Sequence, residues 1–298
     1  MFRLGRVWAA SALAALTVAA PAGLVARDGS ADVSSDVLQQ LTLFAEYSAA
    51  AYCPNNINST GTAVTCAVGN CPTVEKASTN TIDEFDEDHE YGDVAGFIAE
   101  DSTNKLIVVS FRGTTSVETW VANLDFGTTS LSDICDDCKA HGGFWKSWES
   151  VADSITSNVK SAKDKHSDYK LVFTGHSFGA AVATLGATAL RKAGYEIDLY
   201  TYGSPRVGNE ELAKYITSQG TSYRTTHTND VVPKVPPASF GFSHTSPEYW
   251  ITSGDEETVK SSDIDVIQGV NSTGGNAGAS GVSVSAHHWY IVAIDKCN

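Results

Sequence analysis

The stretch Leu171-Val-Phe-Thr-Gly-His-Ser-Phe-Gly179 runs an apolar strand directly into a serine with a glycine two residues to either side. This G-x-S-x-G pattern is that of a nucleophile elbow, where the chain turns sharply from strand to helix and presents a hydroxyl at the turn. Crowding at such a turn leaves no room for side chains at Gly175 and Gly179. Ala180, Ala181, Ala183, Leu185 and Ala187 continue as a helix whose small residues allow close packing on a sheet, and Gly194 supplies its C-terminal stop. Strand, turn and helix agree, so Ser177 is the candidate nucleophile; the alternative is a tight turn with no chemistry.

The N-terminus reads as a secretory signal peptide over residues 1–22. Arg3 and Arg6 precede the apolar run Val7 to Ala20, and Ala20-Pro21-Ala22 has the form of a small-residue cleavage site. Residues 23–27, ending at Arg27, fit a short propeptide, which leaves 28–298 as a single domain. The apolar run is too short for a membrane span and no other stretch is long enough, so no transmembrane segment is expected. Losing Arg3, Arg6 and Arg27 moves the formal charge from −15 to −18. Such a balance argues against nucleic acid as a partner and against electrostatic capture by anionic membranes, so any lipid contact has to be hydrophobic.

Six cysteines, Cys53, Cys66, Cys71, Cys135, Cys138 and Cys297, form an even set in an exported chain, which predicts three disulfides among fifteen pairings. Cys135 and Cys138 with nearby His141 have the spacing of a metal or redox site, but no second such pair accompanies them and no metal is expected. Asn58-Ser-Thr and Asn271-Ser-Thr are glycosylation sequons in polar, turn-rich surroundings.

Strands are expected at Gly96 to Ile98, Leu106 to Phe111, Leu171 to Thr174, Ile197 to Tyr202 and Tyr223 to His227. Helices are expected at Asp36 to Tyr52 with Ser35 as N-cap, at Phe144 to Lys163, at Gly179 to Lys192 and at Glu210 to Ser218. Their alternation predicts an α/β fold with a mostly parallel sheet covered on both faces. The site of such a fold gathers at the carboxyl ends of the strands, where Ser177 stands.

A serine hydroxyl needs a histidine to take its proton, and that histidine needs a carboxylate to fix its tautomer. In this architecture the chain order is serine, acid, histidine. Asp230 lies just past the strand that ends at His227, at the carboxyl end facing the elbow. Asp198 begins a strand at the wrong end, and Asp255, Asp263 and Asp265 lie in polar, surface-like stretches. His244, His287 and His288 follow Asp230. His287, on a Gly- and Ser-rich loop ahead of the apolar Trp289-Tyr-Ile-Val-Ala, suits a base reaching across a site, although spacing alone does not separate it from His288. The oxyanion donors are expected at the Phe178 backbone N–H and at Thr114, after the strand and turn ending in Gly113. Val117, Trp120, Val121 and Leu124 then recur at helical spacing, with Glu118, Thr119, Asn123 and Asp125 on the other face. One turn beyond an oxyanion loop, this segment fits a lid that turns its apolar face out at a lipid surface; periodicity alone fits an ordinary surface helix better.

These residues together resemble the secreted filamentous-fungal class 3 lipases, of the triacylglycerol lipase family. The similarity runs through Leu43-Phe-Ala-Glu-Tyr-Ser-Ala-Ala-Ala-Tyr-Cys53, Asn104-Lys-Leu-Ile-Val-Val-Ser-Phe-Arg-Gly113, Phe173-Thr-Gly-His-Ser177, Tyr202-Gly-Ser-Pro-Arg-Val-Gly-Asn209, Thr226-His-Thr-Asn-Asp230, Ser246-Pro-Glu-Tyr-Trp250 and Ala286-His287. The resemblance implies an α/β-hydrolase-like fold, a triad of Ser177, Asp230 and His287 in preference to His288, an oxyanion role for Thr114, and a short helical lid carrying Trp120. It also implies disulfides Cys53 to Cys297, Cys66 to Cys71 and Cys135 to Cys138. The expected activity is that of a secreted, extracellular, cofactor-free triacylglycerol lipase. It would act as a monomer on emulsified acylglycerols at the lipid–water interface. Phe178-Gly-Ala180 replaces the Leu-Gly-Gly frequent in relatives, which keeps the backbone donor and narrows the acyl site. Relatives with polar lids act as feruloyl-type esterases on soluble esters, the alternative activity; the apolar stripe here favours a lipase.

Overall fold

Residues 32–87 and 93–297 are described by the structure, a computed structural model; the segments read as signal peptide and propeptide lie outside them. In chain order the main elements are α1 (Ser35–Ala50), α2 (Pro72–Lys76), β1 (Thr79–Glu87), β2 (Val94–Asp101), β3 (Leu106–Phe111), α3 (Val117–Asn123), β4 (Thr128–Ser130), β5 (Lys139–His141) and α4 (Gly142–Lys165). They continue with β6 (Lys170–His176), α5 (Phe178–Lys192), β7 (Ile197–Tyr202), α6 (Glu210–Ser218), β8 (Ser222–His227), β9 (Glu248–Ile251) and β10 (Ile264–Ile267).

The eight-stranded sheet has the order β1-β2-β3-β6-β7-β8-β9-β10. Strands β3, β6, β7, β8 and β9 are parallel, and antiparallel strands β1 and β2 finish one edge and β10 the other. Alternation along β3 explains why the sheet carries a core on each face. Ile107, Val109 and Phe111 join Phe173 of β6, Leu199 of β7 and the inner faces of α4 and α5. Leu106 and Val108 point the other way, toward Phe44 and Tyr47 of α1 and Tyr202 of β7. The described residues from Asp32 on pack as one compact unit, and none of their helices is long and apolar enough to cross a membrane.

Several expected bounds shift: β6 and α4 each run two residues further than expected at their C-terminal ends, and α1 and β2 differ as well. The N-cap of α1 is Ser34, whose hydroxyl accepts from the Val37 N–H at 3.2 Å, so Ser35 is the first helical residue and the helix ends at Ala50 rather than Tyr52. The strand expected at Gly96 to Ile98 extends over all of β2, because both of its neighbours pair with it and its polar residues, Glu100 and Asp101, sit at its C-terminal end.

The cysteines pair as Cys53–Cys297, Cys66–Cys71 and Cys135–Cys138. The first joins the end of α1 to the C-terminus over a sequence separation of 244. Closing so long a loop removes much unfolded-state entropy, so the double change Cys53→Ser with Cys297→Ser is expected to lower unfolding free energy by about 5 kcal/mol. Losing Cys66–Cys71, separated by 5 residues, should cost clearly less. Urea unfolding of both double variants beside the parent checks the ranking.

Candidate active site

The elbow stands where β6 meets α5. Ser177 adopts φ 59° and ψ −128°, a strained backbone for a residue with a side chain. The close approach that needs Gly179 is explicit: a Cβ there would lie 2.4 Å from the Phe111 carbonyl oxygen of β3. Phe178 opens α5, and the first N–H groups of a helix have no intrahelical partner, so its amide is free to meet an oxyanion.

Three residues past the end of β8, Asp230 is fully buried. The loop that carries His287 is fastened beside it: the Val231 N–H donates to the Ser283 carbonyl at 3.1 Å and the Ser283 N–H to the Asn229 carbonyl at 3.0 Å. His287 Nδ1 lies 2.8 Å from Asp230 Oδ2. A carboxylate only accepts, so Nδ1 carries the proton and Nε2 presents a lone pair. Oδ2 also accepts from the Tyr290 hydroxyl, and Oδ1 accepts from the Val232 N–H at 2.9 Å. Burial, followed by the Asp230 charge, holds the Tyr290 phenol well above its ordinary value, so it stays a donor. Gly203 has φ 58°, and a Cβ there would sit 2.8 Å from the His287 ring and 3.1 Å from Asp230 Oδ2. Ser177 Oγ and His287 Nε2 are both buried without a hydrogen-bond partner. They are the two atoms that a proton transfer between serine and base requires, and such bonds are often formed only once substrate is bound.

The other sequence candidates fall elsewhere. His288 is half-exposed and pairs with Asp295, whose hydrogen bond raises its pKa. His244 is buried and donates from Nε2 to the Pro233 carbonyl at 2.6 Å, a packing role. Cys135 and Cys138 are disulfide-bonded, which takes their thiolates away from any metal. Asn58 and Asn271 are both exposed. The sequence gives Tyr290 and Tyr52 no role at the site; their signal, a Tyr three residues after His287 and a Tyr beside Cys53, reads equally well as core aromatic packing.

Beside the elbow lies α3. Val117 is buried and Trp120 and Leu124 pack against the core, while Glu118, Thr119, Asn123 and Asp125 face solvent. Val121 is half-buried. The Trp120 ring stacks on Phe144 at 6.0 Å between centroids and meets Phe178 edge-on at 6.5 Å. A cleft of about 650 Å³ runs along this helix, lined by Thr114, Trp120, Leu124, His141 and Phe144. Thr114 also borders a small pocket with Trp120 and Phe178. Ser177, Asp230 and His287 have no exposed surface.

A family model described as lipase (class 3) matches residues 108–240, and one described as the lipase 3 N-terminal region matches residues 7–82. The chain is 46% identical over 299 residues to secreted mono- and diacylglycerol lipase A of Penicillium cyclopium, covering 98% of this chain and 96% of that one. The chain belongs to the class 3 lipases. Secreted mono- and diacylglycerol lipase 1 of Fusarium solani is 40% identical over 274 residues, covering 89% of this chain and 79% of that one. The crystal structure of the mono- and diacylglycerol lipase from Aspergillus oryzae superposes with a TM-score of 0.85 at 43% identity, covering 89% of this chain and all of that one. This class 3 lipase is thus an α/β-hydrolase in fold and a carboxylic ester hydrolase in activity.

The lipase holds three histidines neutral in its interior. Burial lowers His141, burial followed by the neighbouring His287 ring lowers His176, and burial followed by the Arg224 and Arg206 charges lowers His244. Their folded pKa lies below the unfolded value near 6.5, so the stability they contribute is present above that pH and is lost as pH falls below it. Glu46, raised mainly by burial, offsets part of this in acid. Unfolding free energy is therefore expected to fall by at least about 1.4 kcal/mol per pH unit between pH 6 and 5, which urea titrations at constant ionic strength measure. A flat profile would contradict the neutral assignment.

Proposed function

We propose that this chain is a secreted lipase that hydrolyses acylglycerols at a lipid–water interface through Ser177, His287 and Asp230, with α3 as its lid. The observation that carries the reading is the closure of the site: three groups suited to acyl transfer have no exposed surface, and an amphipathic helix seats its tryptophan beside the elbow. Opening in water sacrifices two aromatic contacts, each worth about 0.5 to 1.5 kcal/mol, and exposes the apolar stripe. Hydrocarbon receives the same stripe without that penalty. The closed state therefore holds in water and yields at a lipid surface.

In the open form Ser177 Oγ attacks the ester carbonyl carbon while its proton passes to His287 Nε2. The carbonyl oxygen gains the negative charge and is met by the Phe178 N–H and by Thr114. The tetrahedral intermediate collapses as the imidazolium returns its proton to the leaving glycerol oxygen, giving an acyl-Ser177 ester and a freed alcohol. Water then gives a proton to His287, attacks the acyl carbon and releases the fatty acid with Ser177 restored. Asp230 keeps the imidazole in the required tautomer and balances its transient charge.

The resemblance read from sequence implies triacylglycerol as substrate; the names of the 46% and 40% identical relatives, mono- and diacylglycerol lipases, favour partial glycerides within the same class. Fatty acid released from tributyrin below and above its solubility limit tests the interfacial reading, and rates on emulsified diolein against triolein test the glyceride preference. A rate that climbs once droplets appear is expected, together with a higher rate on diolein. Saturation in solution would instead favour an esterase for soluble esters. Trp120→Ser, which empties the aromatic seat, should raise the rate on the dissolved substrate and flatten the rise at droplets.

A further inference from the structure

His176 takes no part in the acyl-transfer steps, yet both of its ring nitrogens are engaged inside the buried centre. Nε2 lies 2.9 Å from the backbone carbonyl oxygen of His287. A carbonyl only accepts, so Nε2 carries the proton and Nδ1 is a bare lone pair. The Tyr52 hydroxyl, 2.7 Å from that Nδ1, is therefore the donor. Its oxygen in turn is hydrogen-bonded by the Gly113 backbone, the residue before Thr114. The relay thus runs from the Gly113 N–H through Tyr52 and His176 to the main chain of His287. Tyr52 is 2% exposed and both histidines are fully buried, so water does not compete for these bonds. Burial and the neighbouring His287 keep the His176 ring neutral, the form that the two opposed bonds require.

Asp230 fixes one edge of the His287 ring, but the ring is carried by a short turn, Ser285–His288, at the end of a Gly- and Ser-rich loop. Main-chain bonds at Ser283 and a bond from the His227 ring to the Ala286 carbonyl fasten the chain ahead of the turn, which leaves the carbonyl of His287 itself to be held. His176 grips the carbonyl of that residue, and its own ring lies 4.4 Å between centroids from the His287 ring, tilted by 33°. Since His176 is also the residue before Ser177, the nucleophile and the base share one mounting. Building on the triad reading, we infer that His176, seated by Tyr52, is a positioning residue that sets the base against the nucleophile and ties both to the loop that carries Thr114.

The test uses purified full-length enzyme on a dissolved ester, p-nitrophenyl butyrate, with kcat and KM measured separately and Ser177→Ala as control. His176→Asn keeps an acceptor near Tyr52 and cannot reach the His287 carbonyl. It is expected to lose about 100-fold in kcat, the scale of an ångström-sized misplacement, with KM changed less than about twofold. His176→Gln places an N–H where Nε2 was and should recover at least about tenfold of that loss. Tyr52→Phe keeps the ring packing, removes the seat and should lose about tenfold in kcat. If His176→Asn fails to fold, the Gln and Phe variants decide alone. Asn and Phe variants within twofold of the parent, or a Gln variant no better than Asn, would overturn the inference. Ser177-independent hydrolysis by the parent would instead remove the triad reading beneath it.

Discussion

Ser177→Ala is expected to fold as the parent does and to lose about 10⁴- to 10⁶-fold in kcat on any ester. The fold should tolerate the change because the Ser177 hydroxyl has no hydrogen-bond partner, so truncation leaves no buried polar group orphaned. The strained φ of 59° is borne by alanine on the same terms, since both residues carry a Cβ. What disappears is the only atom of the elbow able to form the acyl ester. The proposed oxyanion donors and the cleft beside α3 remain, and they set the residual rate over water. A melting temperature within a few degrees of the parent and a kcat collapse, measured on one preparation, form the expected pair of results; retention of more than about 1% of kcat would sink the assignment of Ser177.

Asp230→Asn is expected to lower kcat by about 10⁴-fold while leaving KM near the parent's. The reason lies in donor and acceptor counting. Asp230 Oδ2 accepts from both the His287 Nδ1–H and the Tyr290 hydroxyl, and Oδ1 accepts from the Val232 N–H. An amide in its place has one oxygen, and its NH₂ must face one of these donors or push the His287 proton from Nδ1 to Nε2. The second outcome points an N–H at Ser177 and leaves no lone pair to take its proton. Asn at Asp198, near the start of β7 and at the far end of the sheet from the elbow, is the matched control and should stay close to parental activity. Rates within tenfold of the parent for Asp230→Asn would contradict its role.

The parts of the fold that sequence made plain are those buried on both faces. Leu106 to Phe111, the run ending at His176 and Ile197 to Tyr202 are central parallel strands, and burial on both sides leaves them rich in apolar or β-branched residues; the strand ending at His227 is central too, but buries Arg224, Thr225, Thr226 and His227. The outer strands are less legible. The edge strand Thr79–Glu87 alternates polar residues with few apolar ones, and Glu248–Ile251, next to the other edge, and Ile264–Ile267, at that edge, are four residues each, too short for a period to declare itself. Ser34 and Ser35 are equally able to cap, and only the observed bond to Val37 chooses between them.

At the proposed site, the elbow and the candidate acid are marked in the sequence by local patterns: glycines at fixed offsets, and a carboxylate at a strand's carboxyl end. His287 and His288 are adjacent in sequence, and geometry separates them, one buried on Asp230 and the other half-exposed on Asp295. Tyr290, Tyr52 and the His176 bonds rest on contacts between residues 60 to 124 positions apart. A buried tyrosine that packs and one that also donates look the same in a sequence. Thr114 and the α3 stripe fall between these cases, since periodicity marks an amphipathic helix and only the ring contacts of Trp120 show that its apolar face meets Phe144 and Phe178.

The central claim, a serine nucleophile shut under a helix that yields to lipid, meets its most direct test in the labelling rate of Ser177 by a tagged fluorophosphonate. The reaction is followed by peptide mass spectrometry with and without phosphatidylcholine vesicles containing diolein. The account predicts label on the Ser177 peptide alone, slow in buffer and at least about tenfold faster with vesicles. Label on another residue would contradict the nucleophile, and equal rates in buffer and vesicles would contradict the lid.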